Sequence, residues 1–248
     1  MANPVKQFVI KEKIPFEFGG IDLAFTNSAL WMALALIVST TFLSIAMNKK
    51  EMVPGRLQMT AEILYEFIAK MVKDNIGSKG RAYFPFIFTL FIFVLFGNLL
   101  GLLPYSFTYT SHLAVTGALA LTVFGSVIIF GFLRHGIKFL TLFVPSGVPI
   151  WIMPVIIPLE LISFFIRPFT LAVRLCANMM AGHIMLKVIA GFGVAAAGMA
   201  SWGFLVGVLP AFVGMLMLLF ELLVAFIQAY VFAILSCVYL KDTVDLHH

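Results

Sequence analysis

FFIRPFTLAVRLCANMMAGHIML, residues 164–186, is oily enough to sit in lipid, yet it holds Arg167, Arg174, Asn178 and His183. A charge at the centre of a bilayer costs roughly 2.5–3.5 kcal/mol on insertion scales. Such residues in such a segment point to function, and the segment itself points to a membrane span. The rest of the chain agrees. Of its 248 residues, 62% are hydrophobic and 11% charged, with a mean hydropathy of +1.09. A soluble domain is closer to half apolar and about one quarter charged. Lipid is therefore the solvent, and the chain reads as one polytopic membrane domain covering residues 1–248.

From this stretch the apolar run extends both ways, over residues 148–190. At ~1.5 Å per residue a helix of that length is about 65 Å long, twice the hydrocarbon core. It must tilt strongly or begin with a separate short piece, and Pro149, Pro154 and Pro158 favour an irregular start. Residues 191–207, rich in Gly and Ala, read as a turn. Residues 208–240 form the last apolar segment, about 50 Å long by the same rise and so tilted too. Upstream, spans are expected at residues 26–47, at 83–103 before Pro104, and at 112–133 before Arg134, His135 and Gly136. Residues 57–76 differ. Leu57, Ala61, Leu64, Phe67, Ile68, Met71 and Val72 follow a helical period, and Glu62, Glu66, Lys70 and Lys73 take the other face. This pattern predicts an amphipathic helix on or just under the membrane surface, and also fits a soluble helix packed on a partner. The predicted fold is an all-α membrane protein with about five transmembrane helices plus one amphipathic surface helix, the last two spans forming a long, strongly tilted hairpin. No internal repeat is visible, which weighs against an inverted-repeat transporter.

Charge sets the expected orientation. Lys6, Lys11 and Lys13 precede the first span. The stretch after it carries Lys49, Lys50, Arg56, Lys70, Lys73, Lys79 and Arg81, and the same side receives Arg134, Lys138 and Lys241. The two loops on the other side, residues 104–111 and 191–207, carry no Lys or Arg. Five spans with the N-terminus outside and the C-terminus inside fit this asymmetry. The net charge of +5 is spread over these loops and does not indicate nucleic-acid binding. Cys176 and Cys237 lie in apolar segments outside any CxxC, so neither a disulfide framework nor a zinc site is expected. His247 and His248 are too few for a metal site. Residues 1–13 have neither a signal-peptide core nor an Arg-rich transit pattern, so no cleavage is expected.

On an ideal helix, Glu160, Arg167, Arg174 and Asn178 fall within about 40° of one another, a polar stripe along a lipid-length segment. Pro168 can kink that helix and shift the stripe. His183 lies near the opposite face. In the last segment Glu221 and Gln228 share a face. Folding the two segments as an antiparallel hairpin about Ser201 sets Arg174 level with Gln228, His183 with Glu221, and Glu160 with Asp242. Glu221 and His183 can exchange protons; an apolar wall disfavours both charged forms, which suits a relay near neutral pH. Asn178 and Gln228 can hold water. Arg174 cannot relay protons, because a guanidinium stays charged. It can attract an anion or block a cation, and so separate two proton paths. Structural roles compete. A lone intramembrane Asn or Gln is usually an interhelical hydrogen bond, Arg167 and Lys187 can snorkel, and Asn98 and His112 suit packing at span ends.

These residues resemble a known family, subunit a of the F-type rotary ATP synthase. RPFTLAVRLCANMMAGH (residues 167–183), GNLLGLLPYSFTYTSHL (97–113) and FELLVAFIQAYVFAILSCVYL (220–240) carry the resemblance, which covers essentially the whole chain. It implies a static subunit beside a rotating ring of c subunits, held by b-type peripheral-stalk subunits and the rest of the complex. It implies that Arg174 is the essential arginine between two half-channels. It assigns Asn178, His183, Glu221 and Gln228 to the outer half-channel, and Glu160 and Asp242 to the inner one. It implies no cofactor and no catalytic activity in the chain alone. His183 with Glu221 is the mitochondrial-like arrangement of a pair that some bacterial members show reversed. A bacterial inner membrane is expected, with the mitochondrial inner membrane as the alternative. Two other classes of function remain. A secondary transporter would use Arg174 to bind an anionic substrate, and a membrane scaffold would tolerate its replacement. No P-loop and no HExxH occurs, so a soluble-enzyme reading fails. Proton or sodium coupling is left open.

Overall fold

A peptide group in hydrocarbon finds no water, so an apolar segment must satisfy its own N–H and C=O groups, which a helix does. The computed structural model follows that rule. It describes residues 8–10, 12–14, 17–18, 21–22, 24–48, 53–103, 106–144, 151–197 and 203–244. Lys6, Lys11, Lys49, Lys50, Pro104, Pro149, Ser201, His247, His248 and the side chain of Asp242 lie outside the described residues. The helices are α1 (Asn27–Asn48), α2 (Arg56–Ile76), α3 (Phe84–Gly101), α4 (Leu113–His135), α5 (Met153–Ala197) and α6 (Gly203–Val244). Five of these segments are long and apolar enough to cross a membrane: α1, α3, α4 with the 3-10 turn that follows it, α5 and α6. The chain is a multi-pass, all-α membrane protein. The α2 helix is the amphipathic one, burying Ala61, Ile68, Met71, Val72 and Ile76.

One expectation needs correction. Residues 191–207 do not form a turn: α5 runs on to Ala197 and α6 already starts at Gly203, leaving only 198–202 between them, outside the described residues. Glycine costs a helix interior about 1 kcal/mol against Ala, whereas an unbonded peptide group in an apolar setting costs several. Local preference therefore yields to hydrogen bonding. The apolar run enters α5 through a turn at Trp151 and Ile152, and the helix proper starts at Met153. Pro154 falls in its first turn, where a missing N–H is harmless, and Pro158 and Pro168 are absorbed inside it. With 45 and 42 residues, α5 and α6 are about 68 and 63 Å long at ~1.5 Å per residue, far beyond a hydrocarbon core of about 30 Å. Before α1, the short strands β1 (Glu12–Ile14) and β4 (Phe25–Thr26) pair antiparallel, as do β2 (Glu17–Phe18) and β3 (Ile21–Asp22), which the span pattern did not anticipate.

Packing groups the chain into two compact units. One comprises residues 1–40, 93–112 and 175–229. Within it, Tyr109 fills a notch left by Gly97 and donates its hydroxyl to the Phe93 carbonyl at 3.1 Å. Asn98 is fully buried and donates to the Ala225 carbonyl at 3.2 Å, a packing role. The other unit comprises residues 41–92, 113–174 and 230–248. There Phe67 of α2 lies 5.2 Å from the Tyr230 ring, and Phe124 of α4 lies 5.0 Å from Phe164 of α5. Gly136, at φ +57°, takes the left-handed conformation that lets the chain leave α4. His135 Nε2 then sits 2.9 Å from the Thr243 carbonyl.

Candidate proton-exchange site

In the unit formed by residues 1–40, 93–112 and 175–229, α5 and α6 run antiparallel and bring together one predicted pair, His183 with Glu221, and one that was not predicted, Asn178 with Gln228. His183 Nδ1 stands 3.6 Å from Glu221 Oε1. The Asn178 amide donates to Gln228 Oε1 at 2.8 Å. Glu221 is 4% exposed and Gln228 2%, so both polar heads are withdrawn into the protein. Neither carboxyl oxygen of Glu221, nor Nε2 of Gln228, has a hydrogen-bond partner among the described residues. Beside them a cleft of about 270 Å³ is lined by Asn178, Met179, Gly182, Met217, Glu221 and Val224. It has room for several waters at about 30 Å³ each.

His183 is held from several sides. Its Nε2 lies 2.8 Å from the hydroxyl of Thr108, and Phe8 meets its ring edge-on with centroids 6.4 Å apart. Sequence reasoning did not single out Thr108 or Phe8. Both reach His183 across long stretches of chain, and only the tertiary fold reveals that. Two glycines make the cluster possible. A Cβ at Gly182 would stand 2.7 Å from Glu221 Oε1, and one at Gly101 would stand 2.7 Å from Thr108 Oγ1.

The remaining predicted residues are placed as follows. Arg174 is exposed on α5 and makes no hydrogen bond or ion pair among the described residues. Gln228, set level with Arg174 by reflection about Ser201, spends its carbonyl on Asn178, one turn further along α5. Glu160 and Arg167 line one cleft of about 180 Å³ with Leu142, Phe143 and Phe164. The Arg167 guanidinium also lies 5.5 Å from the ring centre of Tyr239. Asp242 has a helical backbone, and its side chain is outside the described residues.

The site is thus a carboxyl and an imidazole close to hydrogen-bonding range, walled by apolar helices, with amides and a cleft alongside. Such a group can take up, hold and pass on a proton. Comparison with known proteins gives this chemistry its setting. The profile of the ATP synthase A chain family matches residues 29–241. The chain is 49% identical over 247 residues to ATP synthase subunit a of Rhodospirillum rubrum, covering 100% of both chains. It is 51% identical over 251 residues to ATP synthase subunit a of Paramagnetospirillum magneticum, again covering 100% of both. Against ATP synthase subunit a of Mesorhizobium japonicum the identity is 49% over 247 residues, covering 100% of this chain and 98% of the relative. The chain belongs to the ATP synthase A chain family.

Proposed function

We propose that this member of the ATP synthase A chain family is the static, proton-conducting subunit of the membrane sector of an F-type ATP synthase. It couples proton flow to rotation of a ring of c subunits and thereby to ATP synthesis. Two offset half-channels reach the ring. Asn178, His183, Glu221 and Gln228 serve the outer one, and Glu160 and Asp242 the inner one. Arg174 stands between the two paths. Peripheral-stalk subunits of the b type and the other subunits of the complex hold the chain still. The chain lies in a bacterial inner membrane with its N-terminus outside and its C-terminus in the cytoplasm. Nucleotide chemistry belongs to other subunits.

The observation that carries this reading is the His183–Glu221 pair, two titratable groups 3.6 Å apart inside apolar helices. Burying such groups without full hydrogen bonding is costly, and proton exchange is a use that justifies the cost. A proton arriving from outside passes this pair and neutralises a carboxylate on the ring. The neutral site can enter lipid, where a charged one cannot. After nearly a full turn it gives up its proton on the Glu160 side. Arg174 favours the ionised form of a facing carboxylate and stops protons from running straight through, because its guanidinium never deprotonates. Its exposure on α5, with no hydrogen-bond or ion-pair partner among the described residues, suits that task.

ATP-driven proton pumping tests the reading, in membranes carrying the wild-type chain, Arg174→Ala or Glu221→Gln, with assembly of the complex checked in parallel. Loss of pumping in assembled complexes supports it. Normal pumping by both variants returns the polar residues to a structural role.

A further inference from the structure

Thr108 has one hydroxyl hydrogen and two neighbours that compete for it. Its Oγ1 lies 3.3 Å from the Gly101 carbonyl, placed to donate, and 2.8 Å from His183 Nε2. The Gly101 carbonyl is an acceptor only; it takes the Ser106 hydroxyl at 2.7 Å, and its second lone pair is placed to take the Thr108 hydrogen. The Thr108 oxygen then has lone pairs free and no hydrogen left for the imidazole. In that arrangement it accepts from His183, which puts the neutral ring's proton on Nε2 and leaves the Nδ1 lone pair facing Glu221.

The surroundings hold Thr108 in this position. It is 5% exposed. Its own carbonyl accepts the Ser111 hydroxyl at 2.6 Å and the Ser111 N–H at 3.2 Å. The Ser111 carbonyl in turn accepts from Cys176 Sγ of α5 at 2.9 Å. The loop is thereby tied to the helix that carries His183. The absence of a side chain at Gly101 lets Thr108 approach, because a Cβ there would stand 2.7 Å from both Oγ1 and Cγ2.

We propose that Thr108 is a positioning residue of the proton path, fixing His183 in the Nε2–H tautomer so that Nδ1 alone exchanges a proton with Glu221. The step balances within the pair. The O–H bond of the Glu221 carboxyl breaks, an N–H bond forms at Nδ1, and a carboxylate faces an imidazolium; the reverse restores both neutral groups. Thr108 accepts the Nε2–H bond in both states and neither gains nor loses a proton. The inference rests on the proposed proton path but makes a claim of its own, the tautomer of one histidine.

That claim is tested by solid-state ¹⁵N NMR of histidine-labelled complex in membranes, with the His183 signals assigned by difference from His183→Asn. Wild type should show a protonated Nε2 and a lone-pair Nδ1 in the neutral ring. Thr108→Val removes the acceptor while keeping the shape. It should shift His183 toward the Nδ1–H tautomer and lower ATP-driven pumping several-fold. Thr108→Ser keeps a hydroxyl and should restore both. A wild-type ring carrying its proton on Nδ1 overturns the proposal. So does Thr108→Val with an unchanged tautomer, or with a shifted tautomer and normal pumping. Failure of the proton-path reading shows itself separately, as normal pumping by Glu221→Gln.

Discussion

Glu221 reaches His183 through space that Gly182 leaves empty: a Cβ on residue 182 would lie 2.7 Å from Glu221 Oε1 and 3.0 Å from its Cδ. The glycine is next to the histidine in sequence, so one helix offers both the proton partner and the room for the carboxyl.

Gly182→Ala should therefore uncouple position from stability. The crowded atoms are the tip of a flexible side chain, which can swing aside, so the stability cost should sit at the low end of the ~1–3 kcal/mol typical of overpacking. The Glu221–His183 approach is lost in the process. Complexes should assemble in normal amount while ATP-driven proton pumping falls several-fold. Unchanged pumping in assembled Gly182→Ala complexes would show that the 3.6 Å approach is not needed.

The sequence exposes the pair but not this detail, and the reason is physical. Hydrophobic length gives the spans, because the bilayer sets it; residues 26–47 and 83–103 fall within two residues of α1 and α3 at each end. The antiparallel register of α5 and α6 is legible because titratable residues in apolar runs are few, and reflection about Ser201 matches His183 with Glu221. The same reflection misses the Asn178–Gln228 bond by one helical turn, since it assumes equal rise in both helices and ignores Pro158, Pro168 and Pro210 inside them. Thr108 stays hidden because its partner is 75 residues away and its loop has no period to read. The Gly and Ala of residues 191–197 mislead because turn preference in water does not carry over to apolar surroundings.

Arg174→Lys tests whether charge alone suffices at that position. An ammonium is a compact point charge that can lose its proton when desolvated, whereas a guanidinium cannot. The variant should assemble yet lose most proton-driven ATP synthesis, and Arg174→Ala should lose essentially all of it. Both are measured as the ATP formed by inverted vesicles under an imposed proton gradient. Wild-type synthesis in Arg174→Lys would show that a fixed charge is unnecessary.

The Asn178–Gln228 hydrogen bond spans two helices at 2.8 Å. Such bonds in membrane proteins contribute about 0.6 kcal/mol on average and up to ~1.7. Asn178→Ala should cost about that much, and Gln228→Ala more, because Gln228 is buried and its removal leaves a void. The double variant should be less damaged than the sum of the two, since the shared bond can be lost only once. Thermal release of the chain from detergent-solubilised complex measures each loss. Strict additivity would mean that the bond contributes nothing.

Gly97 and Tyr109 pose the same steric question as Gly182 and Glu221, with no flexible tip to yield. A Cβ on residue 97 would overlap the Tyr109 hydroxyl. Tyr109 is 1% exposed, its ring lies 5.5 Å from Phe93, and its hydroxyl donates to the Phe93 carbonyl at 3.1 Å. Burial raises the pKa of that phenol well above its ordinary value, so it stays a neutral donor. Gly97→Ala should cost at least the ~1–3 kcal/mol of an overpacked core and lower the temperature at which the complex releases this chain. Tyr109→Phe alone should cost about 0.5–1.5 kcal/mol, the net value of one hydrogen bond. In the Gly97→Ala background, however, Tyr109→Phe removes the nearer of the two atoms that the new methyl strikes and leaves ring Cζ at 2.5 Å. The double variant should therefore cost less than the sum of the two single losses. Were the two losses to add instead, the close approach would not be what requires glycine at position 97.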